Sequence, residues 1–198
     1  MNRWRSIVPI LSTSLSLALT LGCSSEQETL EVHEEVVREN TLGTAYLGQQ
    51  EWGEAAAAFR RGLTLLESEP LLLNNLAVAL NQNGNADEAE THLRQALAAD
   101  PDYPYAHYNL GLIEADRGNF AEAAVHFEAV AKFDPEDVLT RYNLGEAYAS
   151  LDREEEAEKA WRRALELNPA NVSSMYALGR LLVTKGDRDG GTELIKRS

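Results

Sequence analysis

The 198-residue sequence predicts an all-α fold, an α-solenoid of stacked antiparallel helix pairs. Three observations carry the prediction. The pairs Leu42-Gly43, Leu76-Ala77, Leu110-Gly111, Leu144-Gly145 and Leu178-Gly179 follow one another at a constant step of 34 residues, with no insertion. Small residues (Ala55, Ala89, Ala123, Ala157) and bulky ones (Phe59, Leu93, Phe127, Trp161, Ile195) keep the same step. So do the prolines Pro101, Pro135 and Pro169. Strict periodicity of this length marks a repeat array, in which one unit cannot bury its apolar face alone but stacked neighbours can.

Residues 1–22 are set apart from this pattern. Arg3 and Arg5 form a basic start, and Ile7–Leu21 is an apolar stretch interrupted by Ser12, Thr13, Ser14 and Ser16. A membrane-spanning helix needs about 20 predominantly apolar residues. The stretch is shorter and ends in Gly22-Cys23, so it reads as a secretory leader and is excluded from the fold. The run Leu19-Thr20-Leu21-Gly22-Cys23 resembles a bacterial lipobox, with Thr20 where Leu is commonest and Gly22 meeting the need for a small residue. The resemblance implies a lipoprotein signal peptide over 1–22 and a lipid on Cys23, the chain's single cysteine. Residues 23–32 would then be the lipidated N-terminus and a polar, acidic tether, within which a helix can already begin. Ser24, in place of Asp, implies the periplasmic face of the outer membrane in a double-membrane envelope. Several acyl chains together make such anchoring stable.

The array occupies 33–198, with units starting at Val36, Pro70, Pro104, Val138 and Val172. The first helix of each unit carries the Leu-Gly or Leu-Ala pair, whose small member lets the second helix approach. The second helix presents Ala at the twentieth position and a bulky side chain at the twenty-fourth. Proline at the thirty-second position ends it, since proline lacks an N–H and clashes with the preceding turn. Gly84, Gly118 and Gly186 fall between the two helices, where left-handed backbone is needed. Unit 1 has Glu67 in place of the proline and Gly62 in place of Ala, which predicts a less regular exit from its second helix, with Pro70 as the stop. In unit 3, Glu114 stands at a usually apolar position and is expected to pair with Arg117 or reach solvent. Unit 5 reaches Ser198 without a polar capping helix, which predicts an exposed apolar end able to self-associate.

These residues and their 34-residue period resemble the tetratricopeptide repeat. The resemblance spans about five sixths of the chain and implies a right-handed superhelix whose inner face is lined by the first helices. It also implies a protein-binding role in place of catalysis.

Composition narrows the function further. Asp and Glu number 32 against 18 Lys and Arg, a net charge of −14. Phosphate-mediated nucleic-acid binding needs a basic face and is excluded. There is no His-Glu-x-x-His, no glycine-rich phosphate loop and no recognisable Ser/His/Asp set. Asp187-Arg188-Asp189-Gly190 lacks the ligand ladder of a calcium loop. Glu154-Glu155-Glu156 opens a helix, where acids complement the dipole. His33, His92, His107 and His126 fall at unrelated positions, so no metal or cofactor is expected.

In the family, the inner face takes the second, fifth, ninth and twelfth residues of each first helix, which share one helix side. Unit 1 offers Val37, Asn40, Thr44 and Leu47, and unit 2 offers Leu71, Asn74, Val78 and Asn81. Unit 3 offers Tyr105, Tyr108, Leu112 and Ala115. Unit 4 offers Leu139, Tyr142, Glu146 and Ala149, and unit 5 Ser173, Tyr176, Arg180 and Val183. Asn75, Asn109 and Asn143 stand beside the fifth positions. The expected site is an apolar groove with Tyr edges for an extended or helical segment, whose backbone Asn74 and Asn81 would bind. An acidic array favours a basic or apolar segment. The family's carboxylate-gripping mode needs Lys or Arg at the second, fifth and sixth positions, and none is basic here. The resulting expectation is a lipid-anchored, non-catalytic adaptor, similar in kind to repeat lipoproteins that help secretins or outer-membrane proteins assemble. Two alternatives are a docking module of a larger secreted protein, and an enzyme site around Glu146, Arg180 and His107.

Overall fold

A computed structural model describes residues 23–198, with side chains from Thr29 onward. The leader and most of the lipobox lie outside the described residues. The described chain forms α1 (Cys23–Gly48), α2 (Trp52–Leu65), α3 (Pro70–Gln82), α4 (Ala86–Ala99) and α5 (Pro104–Asp116), followed by α6 (Phe120–Phe133), α7 (Val138–Ser150), α8 (Glu154–Leu167), α9 (Val172–Thr184) and α10 (Arg188–Arg197). Odd-numbered helices are the first helices of the repeats and even-numbered ones the second. Each repeat packs as a hairpin and stacks on the next, with no strand among the described residues. α1 is twice the usual length because it runs back to Cys23, so the acidic segment before Val36 is helical.

Local sequence explains where the helices start. Pro70 and Pro104 occupy the first turns of α3 and α5, where a missing N–H costs nothing. α7, α9 and α10 lack that proline and use side-chain caps instead. Asp137 accepts from the N–H groups of Leu139 and Thr140, Asn171 from Ser174, and Asp187 from Gly190. The Asp-Arg-Asp-Gly run is therefore a helix start. The hairpin turns place Gln50, Gly84, Gly118, Asp152 and Gly186 at φ between 58° and 96°. Glycine serves three of them, and Gln50 and Asp152 hold the same left-handed geometry under strain.

The expected irregular exit from α2 is not found. α2 ends in the same register as α4, α6 and α8, and Leu66 has the backbone angles of Asp100, Asp134 and Asn168. Before proline, the latter three are held extended by sterics. At Leu66 packing does the same work, because its side chain lies against the core around Phe59 and Leu72. Gly62 has its own reason: a methyl there would sit 3.0 Å from Leu72 Cδ1.

Glu114 neither pairs with Arg117 nor reaches solvent. It is buried, accepts from Asn119 Nδ2 at 2.7 Å and lies 3.5 Å from the Arg94 guanidinium. Arg117 turns instead to Glu90 and Asp87 of α4. It and Arg94 hold the Glu90 carboxyl below the usual range.

At the last repeat, Val172 and Tyr176 of α9 are about half exposed. On α10 the apolar side chains Leu194 and Ile195 are half-buried, and the rest of the helix is polar. The first repeat also exposes an apolar face among the described residues. Leu42 is 38% exposed, whereas Leu76, Leu110, Leu144 and Leu178 are at most 4% exposed, each covered by the preceding repeat.

Contact between the eighth and twenty-fourth positions sets the spacing inside each hairpin. A methyl on Gly43 would lie 2.5 Å from the Phe59 ring, and one on Gly111 2.7 Å from Phe127. Gly145 faces Trp161 in the same way, and Gly179 faces Ile195 and the Gly191 carbonyl. Ala77 is tolerated in repeat 2 because its partner is Leu93, not an aromatic. Trp161 follows the rule at a cost, since its buried Nε1 donates to nothing. Gly111→Ala is expected to lower unfolding free energy by about 1–3 kcal/mol through overpacking. Gly53→Ala, where a methyl meets nothing within 4 Å, should not. Urea denaturation of the two variants checks this.

Candidate protein-binding surface

First helices of successive repeats touch directly (α1 with α3, α3 with α5, α7 with α9), and second helices do not approach one another to a comparable extent. The first helices therefore crowd on the inner side of the stack, and their outward-turned residues face a common surface.

At the second position of the first helices of repeats 1, 3 and 4, and at the fifth position of repeat 5, this surface is apolar and open. Val37 is 54% exposed, Tyr105 49% and Leu139 52%, with Tyr176 of α9 at 49%. Leu71, Val78 and Leu112 are half-buried beside them, as are Asn81, Ala115, Tyr142 and Ala149. Tyr105 stacks obliquely on Tyr103, with ring centroids 5.5 Å apart. Arg180 is exposed and lies over the Tyr176 ring at 5.8 Å. Glu146 is exposed next to it, yet partial desolvation of its carboxyl raises its pKa against the pull of Arg180.

The asparagines do something else. Asn75 Nδ2 donates to Asn40 Oδ1 at 2.9 Å, Asn109 Nδ2 to Asn74 Oδ1 at 2.8 Å, and Asn143 Nδ2 to Tyr108 Oη at 3.1 Å. Each bond joins the sixth position of one repeat to the fifth position of the repeat before it. The ladder stops at repeat 5, where Ala177 holds the sixth position. Asn74 is only 6% exposed and also donates to Asn75 Oδ1 at 3.3 Å, so its amide is spent inside the array and is not offered to a ligand backbone. Tyr108 is likewise structural in part. It packs edge-on against Phe127 at 5.8 Å, and burial pushes its hydroxyl up to about 12 despite the bond from Asn143.

His107 does not join Glu146 and Arg180. Its ring lies between α5 and α6, with Nδ1 3.0 Å from Nδ1 of His126 and Nε2 3.0 Å from the Pro101 carbonyl. The carbonyl can only accept, so His107 carries its proton on Nε2 and His126 donates to it. Burial and the neighbouring His107 hold His126 below its ordinary pKa. The imagined catalytic cluster is therefore not assembled. Sequence distance had hidden the histidine pair, which joins the fourth position of repeat 3, on α5, to its twenty-third, on α6.

Two further surface features escaped the sequence reading. Val125 and Phe133 are exposed on α6, eight residues apart on one side of the helix. A cavity of about 210 Å³ opens between α3 and α5, walled by Val78, Asn81, Leu112 and Asp116 and floored by Ala77 and Leu93. Its signal was in the sequence: Leu93 is where the array elsewhere places an aromatic or Ile. Among the described residues no group of three or more His, Cys, Asp or Glu is placed to hold a metal ion, and no helix is long and apolar enough to cross a membrane.

Family models for the tetratricopeptide repeat match residues 40–104, 76–138 and 138–171. The chain belongs to the tetratricopeptide repeat family. Among solved structures, it is similar to MamA (residues 41 to the end) from Desulfovibrio magneticus RS-1, at 23% identity and a TM-score of 0.76, covering 82% of this chain and 92% of that one. It is also similar to PilF of Pseudomonas aeruginosa, at 20% identity and a TM-score of 0.77, covering 84% and 76%. At these identities the likeness shows the fold alone. No curated protein matches the chain. Proteins of this repeat family are protein-interaction scaffolds, and the fold is generally non-catalytic.

Asn109→Ala is expected to cost about 1–3 kcal/mol, because Asn74 Oδ1 is left buried without a donor. The double replacement Asn74→Leu with Asn109→Leu should recover part of that loss, since both partners leave together. Chemical denaturation of the three proteins tests the ladder.

Proposed function

We propose that this repeat protein is a non-catalytic scaffold, held by a lipid on Cys23 at the periplasmic face of a bacterial outer membrane. On its inner surface it grips a segment of another protein in support of assembly or secretion. The observation that carries the binding half is the open apolar row of Val37, Tyr105, Leu139 and Tyr176 on the first helices. Contiguous exposed apolar surface marks contact sites, and Tyr is enriched among the residues that dominate binding energy. The chain carries a net charge of −14, which favours basic segments and repels acidic ones. Support for the anchor comes from the leader: Arg3, Arg5, the short apolar stretch, Gly22 and the single cysteine.

The two halves are tested separately. A photoreactive residue at Tyr105 should capture one dominant envelope protein in cells. Tyr105 is chosen as the probe site because it is exposed, whereas the nearby Tyr108 is tied to Asn143 and Phe127. Leu139→Asp should lower capture by about tenfold or more with helical content unchanged. An equal loss from Glu122→Lys, on the exposed side of α6, would sink the inner-surface reading. For the anchor, cells fed radiolabelled palmitate should label the wild type, and Cys23→Ser should abolish the label and release the protein from membranes. Retention of label in that variant would refute lipidation at Cys23.

A further inference from the structure

The cavity between α3 and α5 exists because repeat 2 departs from its neighbours. Repeats 1, 3 and 4 press an aromatic ring against a glycine, whereas repeat 2 pairs the shorter Leu93 with Ala77. The space of about 210 Å³ is more than ten times what a single water requires, about 10–15 Å³ on the same measure. It is therefore large enough for a side chain. Ala77, Leu93 and Ile113 beneath it are buried and apolar, and Val78 and Leu112 line the way in. Such a slot accepts an aliphatic stem.

The rim has a different character. Gln82 and Asp116 are the last residues of α3 and α5, so two helix C-termini converge there with their partial negative charge. The side chains of Asn81, Gln82 and Asp116 make no hydrogen bond or ion pair with any described residue. Asn109 has committed its Nδ2 to Asn74, and its Oδ1 accepts nothing among the described residues. Asp116 is the single charged residue lining the cavity. The nearest cation in sequence, Arg117, is turned away onto Asp87 and Glu90. The site thus combines an apolar stem channel, one unpaired carboxylate, free amide oxygens and two negative helix ends, on a chain with net charge −14.

We propose that this cavity seats a basic side chain, Arg or Lys, of the segment bound along the inner surface. The inference rests on the inner-surface reading above. The methylene stem lies between Val78 and Leu112, and the cationic head meets Asp116 and the rim oxygens, as long basic side chains do when they bury stems and keep heads polar. Guanidinium and ammonium groups have only donors to offer, which suits the Asp116 carboxylate and the amide oxygens of Asn81, Gln82 and Asn109. The charge preference is the reverse of carboxylate gripping, which needs basic residues that this surface does not present.

The test uses the full chain in detergent and saturation-transfer NMR with three probes: N-acetyl-arginine amide, N-acetyl-lysine amide and N-acetyl-citrulline amide. The arginine and lysine probes are expected to bind saturably, with the stronger of the two identifying the head group, and the neutral citrulline isostere to bind far more weakly. Raising salt should weaken binding. Asp116→Asn, an exposed change that leaves the fold alone, should weaken it about fivefold or more. The double variant Ala77→Gly with Leu93→Phe rebuilds the Gly–Phe contact of repeats 1 and 3, so it should keep its helical content and lose the site.

Equal binding of citrulline, or no effect of Asp116→Asn, would overturn the proposal. So would failure of both cationic probes to bind. Capture through Tyr105 separates the two readings. If Asp116→Asn and the cavity-filling variant still capture the partner at wild-type levels, the cavity is not part of the binding site and the inner-surface reading stands. If capture through Tyr105 fails while the probes bind, the opposite holds.

Discussion

How closely the two helices of each repeat can approach governs the rest of this array. The approach is set by one contact, a residue with little or no side chain on the first helix facing a bulky one on the second. Where the bulky residue is Phe59, Phe127 or Trp161, nothing larger than a hydrogen fits opposite. Interiors are close-packed, so a single methylene at such a contact is felt as strain or as a void. Repeat 5 takes the same rule further. With Gly191 in place of alanine, its helices close until backbone meets backbone at Gly179.

Stacking adds a second level of constraint. Leucines at the seventh position are covered by the repeat before them, which makes each hairpin a lid for the next. The asparagine ladder crosses the same junctions and fixes their register with directional bonds. Ion pairs such as Arg60 with Glu88 and Lys185 with Glu158 also bridge neighbouring repeats. They are solvent-exposed and contribute little individually. The array is therefore held chiefly by apolar stacking and by the amides that lock its pitch, leaving the acidic outer charges to influence what approaches.

The same packing rule produces the surface features that matter for binding. The second-position side chains Val37, Tyr105 and Leu139 remain open because they point away from both neighbours. The cavity below Asp116 appears at the one junction where the bulky residue is shortened but the small one is not reduced to glycine. A local lapse in core filling thereby becomes a shaped opening on the inner face.

The number of repeats, the helix order and the close contacts were legible in the sequence, because a strict 34-residue period admits one solution for which faces are buried. The open apolar row was legible for the same reason, since position within the repeat decides side-chain direction. The roles of polar residues were not. Asn74 read as a ligand contact and proved to be an inter-repeat brace, Glu114 found Asn119 and Arg94 in place of Arg117, and His107 met His126 across a hairpin. Polar side chains choose partners by distance and angle, and those depend on how neighbouring helices are set against each other. The sequence by itself determined the periodic scaffold, through residue size at fixed positions. Only the tertiary structure decided which polar groups are spent on the scaffold and which, like Asp116, stay free to act, because partners as far apart as Asn74 and Asn109, or His107 and His126, become neighbours only after the hairpins close and the repeats stack.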